Sequence, residues 1–325
     1  IDQRGQVVWS CRAGLRFAHS AEPTDDETIL VADTTNNRIV RVDRHGQITF
    51  SSDEWSNGTG KLSDGTHLDY PNDAHALPSG NYLITDRNND RCVEVDPQGK
   101  VVWEYKEGVK RPHNADPLPD GNVLIADSDH NRVIEVDRQG TKVWSYGDND
   151  ESDSLNWPRD ADRLSNGNTL IADSKNSRVV EVTPVGKVVW SFQLPYFANI
   201  YEADALENGN VLISDQQHQQ LLEVDRHGNI QWMFRNYRYA LPIHDKLTNG
   251  SFRRWDDDGD PEGWSLFTCT AEGGGKLLKG EDESGKPYAG IEMDRPGGVC
   301  LLQLTAVRPK GRYRLGAQLK AESLG

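Results

Sequence analysis

Residues 111–127 read RPHNADPLPDGNVLIAD, and they are followed by NRVIEVD at 131–137 and GTKVWSY at 140–146. The stretch DGNVLIAD is a turn followed by a run of apolar and β-branched residues, which is typical of a short strand. RVIEVD alternates apolar and polar residues, as a half-buried strand does. DRQG is a tight turn that uses glycine for its positive φ. With HNADPL in front, the unit predicts four short antiparallel strands.

This unit recurs five times along the chain. Its first half reads FAHSAEPTDDETILVAD (17–33), YPNDAHALPSGNYLITD (70–86), RPHNADPLPDGNVLIAD (111–127), PRDADRLSNGNTLIAD (158–173) and IYEADALENGNVLISD (200–215). A glycine opens the last strand of each unit, and an aromatic residue follows four positions later; these glycines are Gly5, Gly46, Gly99, Gly140, Gly186 and Gly228. Four-stranded units at a period of 41 to 53 residues indicate the blades of a β-propeller.

The repeat predicts an all-β protein whose residues 1–234 form a propeller of about six blades, five of them complete. The sixth glycine opens GQVVWS at 5–10, which predicts an N-terminal orphan closing strand. Either the first strands of that blade lie upstream, or another segment supplies them. Open edges invite strand addition, so a homo-oligomer or filament is also expected. An insertion around Trp55 accounts for the spacing of 53 residues and predicts a long loop, which is either a contact surface or, as we prefer, mobile and solvated.

The repeat resembles those of NHL-repeat propellers and arylsulfotransferase-type propellers in its D-G-N-x-L-I-A-D, N-x-R-V and V-D-x-x-G motifs. A linker is predicted over 235–246. Residues 247–325 then resemble the start of carbohydrate-binding jelly-roll modules, in NGSF and PEGW. This second resemblance implies a C-terminal β-sandwich, shorter than such modules usually are, and a polysaccharide or glycan as the partner.

Charge and cysteine content narrow the functional class. The net charge of −15 falls almost entirely in the first 240 residues, and an acidic surface argues against a nucleic-acid partner. No apolar run is long enough to predict a transmembrane segment. These features favour a secreted protein, extracellular or at a cell surface. The four cysteines form no C-x-x-C motif, so no zinc site is predicted. A disulfide between Cys269 and Cys300 is left open, and Cys11 and Cys92 are expected as thiols.

Three positions of the first strand vary between blades, and in a propeller this strand lines the central channel. We call them layers. The first layer is His19, Asn72, His113, Arg159 and Tyr201; the second is Ser20, Asp73, Asn114, Asp160 and Glu202; the third is Glu22, His75, Asp116, Asp162 and Asp204. By contrast, Asp33, Asp86, Asp127, Asp173 and Asp215 recur in every blade five residues before Arg or Gln, which indicates scaffold.

Three interpretations of the layers stand side by side. They line a wet channel; or they hold a cation, for which carboxylates suit Ca²⁺; or they form an active site. The resemblance to arylsulfotransferases implies His113 as a nucleophile with His19 and Arg159 as partners. Channel ligand contacts are expected from Asp73, His75, Asp160, Tyr201 and Glu202. A second calcium candidate is the alternating run Asp256, Asp258 and Asp260.

No organic cofactor is expected. The sequence therefore predicts an extracellular binding or structural propeller that acts at a cell surface or on polysaccharide. The alternative is a sulfotransferase-like or lyase-like enzyme with its site in the channel.

Overall fold

The computed structural model describes residues 2, 6–11, 14–147 and 154–235, together with the backbone of six short strands beyond residue 242. Contacts divide the chain into Ile1–Asn236 and Tyr237–Gly325. The described part of the first unit is a β-propeller with five blades, each an antiparallel sheet whose four strands lie in chain order. This confirms the all-β propeller with five complete blades.

The strands of the blades are short, and most have five or six residues. Blade 1 contains β1 (Ala21–Pro23), β2 (Ile29–Asp33), β3 (Arg38–Val42) and β4 (Ile48–Ser51); blade 2 contains β5 (Pro71–Ala76), β6 (Tyr82–Asp86), β7 (Arg91–Val95) and β8 (Val101–Tyr105); blade 3 contains β9 (Ala115–Pro117), β10 (Val123–Asp127), β11 (Arg132–Val136) and β12 (Lys142–Tyr146). Blade 4 contains β13 (Pro158–Arg163), β14 (Thr169–Asp173), β15 (Arg178–Val182) and β16 (Val188–Gln193), and blade 5 contains β17 (Ile200–Ala205), β18 (Val211–Asp215), β19 (Gln220–Val224) and β20 (Ile230–Arg235).

In the part of the chain that the structure describes, helical structure is confined to single turns. The 3₁₀ turns are Thr34–Asn36, Ser52–Glu54, Arg87–Asn89, Ser128–His130 and Ser174–Asn176, and one α-helical turn, α1, spans Trp55–Gly58. In the described ranges, no helix has the length and apolar character needed to cross a membrane.

One buried aspartate organises each blade. Asp127, for example, is fully buried at the end of β10. Its carboxylate accepts from the Lys110 backbone N (2.7 Å), His130 Nδ1 (2.9 Å) and Arg132 Nε (2.8 Å). The same aspartate–arginine ion pair occurs at 2.6–2.7 Å in blades 1, 2 and 4. The aspartate thus ties the first strand's approach, the 3₁₀ turn and the third strand together, which confirms the scaffold interpretation.

Apolar residues of one blade pack against the next blade. Leu83 and Cys92 of blade 2, for example, share a core with Ile125 and Ile134 of blade 3. Tryptophans of the outer strand add a hydrogen bond across the same interface. Their Nε1 atoms donate to the next blade's turn, in the pairs Trp103–Arg138 O (3.2 Å), Trp144–Pro184 O (2.8 Å) and Trp190–Arg226 O (3.0 Å).

The insertion around Trp55 is not the solvated loop that its length predicts. Blade 1 carries Phe50 where other blades have tryptophan, and phenylalanine has no N–H to donate. Trp55 is only 3% exposed and takes over this role, with Nε1 donating to Pro97 O at 3.1 Å. Its ring packs so closely on Gly99 (φ +83°) that a β-carbon there would lie 2.7 Å from it. The insertion therefore supplies the hydrogen bond between blades 1 and 2 that Phe50 cannot make.

The prediction of an orphan closing strand at 5–10 is wrong. Residues 6–11 have no regular structure, and Val7 and Val8 are 66% and 70% exposed. A fourth strand needs a third strand beside it to pair its backbone groups. Cys11 and Cys92 are thiols, as predicted.

Beyond residue 242 the described backbone forms three strand pairs. β21 (Ile243–His244) pairs parallel with β26 (Leu304–Thr305), while β22 (Ser265–Thr268) with β25 (Val299–Leu302) and β23 (Gly275–Glu281) with β24 (Pro287–Met293) are antiparallel. The jelly-roll sandwich and the Cys269–Cys300 disulfide stay predictions. Asp256, Asp258 and Asp260, the calcium candidates of this region, lie outside the described residues.

Candidate functional site in the channel

The first two layers converge on one pocket, as the repeat alignment predicts. Its walls are His19, Ser20, Asn72, Asp73, His113, Asn114, Arg159, Asp160, Tyr201 and Glu202, and its cavity measures about 30 Å³. A water molecule needs roughly 10–15 Å³ on this measure, so the pocket holds two or three waters or one small polar group. The residues come from five blades, which is why no local motif marks the site.

The first layer is cationic and aromatic. The Arg159 guanidinium carbon lies 3.8 Å from the ring centre of Tyr201 and 5.3 Å from that of Trp157. The rings of His19 and Tyr201 are 5.8 Å apart, and His113 meets Trp157 edge-on at 5.7 Å. Stacking on two aromatic faces holds the guanidinium in place by cation–π attraction.

Several polar atoms of this layer have no partner within the described part of the chain. They are Arg159 Nε and Nη1, His113 Nδ1, and both amide atoms of Asn72. Asn72 and His113 are only 3% and 7% exposed, so their polar atoms are shielded from bulk water. An unsatisfied buried donor or acceptor costs about 1–3 kcal/mol. Water or a ligand must therefore complete this layer.

Both imidazoles of the first layer are neutral. Burial lowers the pKa of His19 to about 4, assisted by the charges of Arg159 and Arg87. Burial, with the same two arginines, holds the pKa of His113 well below its ordinary value. His19 Nδ1 hydrogen-bonds to Thr34 Oγ1 at 2.9 Å, whereas His113 has an uncommitted ring nitrogen. A neutral imidazole can act as a base or nucleophile at physiological pH.

The second layer is less negative than its sequence suggests. Burial, with the nearby Asp162 and Asp116, raises the pKa of Asp160 well above its ordinary value. Burial, with Asp204 next, raises that of Glu202 to about 8. Asp160 also accepts from the Ala203 backbone N at 2.9 Å, which links blades 4 and 5. The negative charge of this layer at neutral pH is therefore smaller than a count of its carboxyl groups.

His75 lies in the third layer, below the pocket. Its Nε2 contacts Asp73 Oδ2 (2.9 Å) and Asp116 Oδ1 (3.1 Å), and its Nδ1 contacts Glu22 Oε2 (3.3 Å). Burial alone would lower the pKa of His75, but the charge of Asp73 and these hydrogen bonds outweigh it and raise the pKa well above 6.5. The imidazolium is thus the internal counter-charge of the acidic cluster. For Asp73, burial by itself would raise the pKa. The charge and hydrogen bond of His75 outweigh burial and hold the pKa of Asp73 below its usual value.

A metal ion is the alternative occupant of the third layer. Ligand atoms of Glu22, Asp73 and His75 lie within 4.8 Å of one another. However, both nitrogens of His75 already face carboxylates, and Ca²⁺ prefers an all-oxygen shell. This donor set does not fit Ca²⁺ well, so calcium in the channel stays a prediction.

An aromatic rim lies next to the pocket, and the sequence alignment missed it. Phe17, Tyr70, Arg111 and Trp157 occupy the same repeat position, and all have a left-handed backbone with φ between 46° and 57°. Lys175 Nζ lies 3.5 Å from the ring centre of Trp157. Strained backbone at large side chains is enriched at functional sites. These residues lie two positions before the first layer and differ between blades, so the sequence does contain a signal for this further variable position.

A known protein family and several solved structures are similar to this chain. The model of the family "Outer membrane protein assembly factor BamB" matches residues 55–245, which is more than half of the chain. The chain belongs to this family. No curated protein matches it. The match bears out the propeller but not the NHL-type assignment.

Solved structures with a similar propeller share little sequence with this BamB-family chain. A protein of unknown function from Bacteroides caccae is 20% identical, with a TM-score of 0.52 over 68% of this chain and 82% of that one. Virginiamycin B lyase from Staphylococcus aureus is 13% identical (TM-score 0.50; 67% and 69% covered), and a chain of a nidogen–laminin complex is also 13% identical (0.53; 69% and 81%). At these identities the likeness shows the fold alone.

Proposed function

We propose that this protein binds an organic oxyanion, a sulfate or carboxylate group, in the first layer of its channel. One observation carries the proposal: buried polar atoms of Arg159, His113 and Asn72 converge on one pocket without partners in the described residues. Arginine is the side chain best suited to a planar or tetrahedral oxyanion, since its donors form a rigid fork. The small cavity admits a head group, while the rest of the ligand would lie against the aromatic rim.

The acidic second layer does not oppose this binding. Burial and neighbouring carboxylates raise the pKa of Asp160 well above its ordinary value and that of Glu202 to about 8, and the charge of Asp73 is compensated by His75. A protonated carboxyl can itself donate a hydrogen bond to an oxyanion. The repulsion near pH 7 is therefore smaller than a count of formal charges predicts.

We further propose that the natural ligand is an anionic polysaccharide outside the cell, at a cell surface or in the surrounding matrix. The aromatic rim and the resemblance of residues 247–325 to carbohydrate-binding modules support a glycan. The acidic composition and a family named for outer membrane assembly support a location outside the cytoplasm.

Calorimetric titration with sodium sulfate, a sulfated polysaccharide and neutral dextran tests the binding proposal. Arg159→Gln is expected to weaken sulfate binding about 10- to 100-fold, because a hydrogen bond to a charged group contributes about 1.5–3 kcal/mol. Arg163→Gln is the matched control, since Arg163 contacts Glu135 and Trp144 instead of the pocket. Equal affinities for the two variants, or no sulfate binding by the unmodified protein, would refute the proposal.

A second candidate function is catalysis on the bound anion, and the neutral imidazoles favour it. His113 would act as base or nucleophile, with Arg159 holding the oxyanion and His19 alongside. The two reaction types are sulfuryl transfer and lyase-type elimination. Since His113 stays neutral down to acidic pH, the rate is expected to be constant between pH 6 and 8 and to fall only in acid. A rate that rises steeply from pH 6 to 8 would argue against His113 in this role.

A further inference from the structure

The leading face of blade 5, which we define as Leu212, Ser214, Leu221 and Phe234, is only half-buried. The equivalents of Leu212 in the other blades are fully buried against the next blade: Leu30, Leu83, Leu124 and Leu170. The equivalents of Leu221 are also fully buried: Ile39, Cys92, Val133 and Val179. Blade 5 thus presents to a following blade the same kind of surface that the other four blades bury.

Residues 6–11 hold the position of an outer strand that precedes blade 1. Trp9 Nε1 donates to Arg44 O at 2.8 Å, which repeats the bond that Trp103, Trp144 and Trp190 make to the following blade. Cys11 and Leu15 pack on the other face of blade 1, against Val31, Val40 and Val42. The segment therefore contacts blade 1 as the last strand of a preceding blade would.

The turn before this segment is the one that joins the third and fourth strands of other blades. The Asp2 backbone N donates to Gln6 O (2.9 Å), and Gln6 N donates to the Asp2 carboxylate (2.8 Å). Asp43 and Gln47 make the same pair of bonds at 2.9 and 2.8 Å. The sequence IDQRGQVVW also follows the pattern of EVDRQGTKVW, where the residues before the aspartate form the third strand. Asp2 and Gln6 thus make the hydrogen bonds of the turn that precedes the outer strand in blade 1.

Part of the space that separates blade 5 from blade 1 is an open cavity of about 290 Å³, lined by Phe17–His19 on one side and by residues of β17–β20 on the other. At closed interfaces a side chain links the blades here: Asn37, Asp90 and Asn131 each accept, at 2.8–2.9 Å, from a backbone N of the next blade. Gln219 has the same left-handed backbone (φ 54°), so it stands where the next acceptor would be.

We propose that a three-stranded unit of this same repeat, joined covalently to Asp2 through the turn, fills the gap as the sixth blade. Its apolar face would cover the leading face of blade 5, and its third strand would pair with residues 6–11 and make them a strand. Its first strand would place one more side chain beside His19 and Tyr201 in the first layer. The observations behind this proposal are packing contacts and not the oxyanion pocket, although the added first strand would face the same channel.

The test is an N-terminal fusion. Residues 154–181, which cover the first three strands of blade 4 up to the position that Ile1 itself occupies, are joined ahead of Ile1, and a scrambled version of the same residues is the control. The fused repeat is expected to raise the Tm by about 5 °C or more, because it buries the leading face of blade 5. It is also expected to slow hydrogen exchange at residues 6–11 and to reduce binding of a hydrophobic dye.

The substitution Leu221→Asp distinguishes a fused repeat that folds against blade 5 from one that only lengthens the chain. In the unfused chain this half-exposed position is expected to tolerate aspartate with a Tm change of about 2 °C or less. In the fused chain the same substitution is expected to cancel most of the gain. Equal effects of the authentic and scrambled fusions on Tm would refute the proposal. A dimer of the unfused chain in ultracentrifugation that Leu221→Asp dissociates would also overturn it, in favour of a second copy of the chain.

Discussion

Asp127→Ala is expected to lower the free energy of unfolding by about 3–5 kcal/mol, as loss of one partner of a buried ion pair does. The carboxylate of Asp127 is fully buried, and it accepts from a backbone N–H, an imidazole and a guanidinium. Alanine leaves all three donors without this acceptor inside blade 3. Urea unfolding followed by tryptophan fluorescence measures the change.

Two further variants make the Asp127 prediction specific. Asp127→Asn keeps an acceptor for the Lys110 backbone N but removes the charge that faces Arg132, so about half of the loss is expected. Arg44→Ala removes an exposed charge that lies 3.6 Å from Glu27, and it is expected to change stability by less than about 0.5 kcal/mol. A loss below about 1 kcal/mol for Asp127→Ala would show that the repeated aspartate is dispensable.

The repeat explains why so much of the scaffold can be read from the sequence. Asp127 and Arg132 recur at one spacing in nearly every blade, and each unit carries its own strands and turns. The alignment therefore predicts both the blades and the ion pair. Trp55 could not be predicted in this way, because it replaces a lost indole from a different place in the repeat. The irregular backbone of residues 6–11 was also missed, since pairing depends on a neighbouring strand that the local sequence does not contain.

The candidate site, like the fold, has features that the sequence predicts and features that it does not. Alignment alone places His19, His113 and Arg159 in one layer, because equivalent positions of first strands must face the axis. It does not give their protonation, which depends on burial and on charges from other blades. Burial, followed by charged neighbours on separate strands, raises the pKa of Asp160 and that of Glu202, so formal charge overstates the negative potential of the pocket. The state of His75 likewise depends on three carboxylates from three blades.

The stability of this propeller is expected to fall as the pH rises from 6 to 9. Burial, with the charge and hydrogen bond of Asp116, raises the pKa of Asp162 to about 9. Because the folded state then holds a proton that the unfolded state releases near pH 4, unfolding becomes easier as the pH rises towards the folded pKa. His75 acts in the same direction: its stabilising charge is complete below pH 6.5 and is lost as the pH rises through its raised pKa.

The expected loss between pH 6 and pH 9 is about 2–3 kcal/mol. One extra bound proton over three pH units corresponds to about 4 kcal/mol, and partial exposure of Asp162 reduces this figure. Asp162→Asn mimics the protonated acid, so it is expected to flatten the pH dependence and to stabilise the protein at pH 9. Asp225→Asn is the matched control, because hydrogen bonds with Asn229 lower the pKa of exposed Asp225 to about 2, far from this range. His75 and Glu202 keep part of the slope in Asp162→Asn. Stability that stays level in the unmodified protein, or a slope that Asp162→Asn leaves unchanged, would show that Asp162 is ionised in the folded state.

The same titration couples the acidic layers to the oxyanion site. As Asp160 and Glu202 ionise, negative charge develops in the wall of the pocket that also holds Arg159. Sulfate affinity is therefore expected to decline above about pH 8, the pKa of Glu202. Arginine remains charged at that pH, so a decline cannot come from loss of its proton. Glu202→Gln should retain affinity at pH 9 that the unmodified protein loses, whereas Asp162→Asn, one layer further from the pocket, should retain less of it. Protonation of the acidic layers would then explain two results together: the higher stability of the fold at mildly acidic pH, and the binding of an anion in a pocket lined by carboxyl groups.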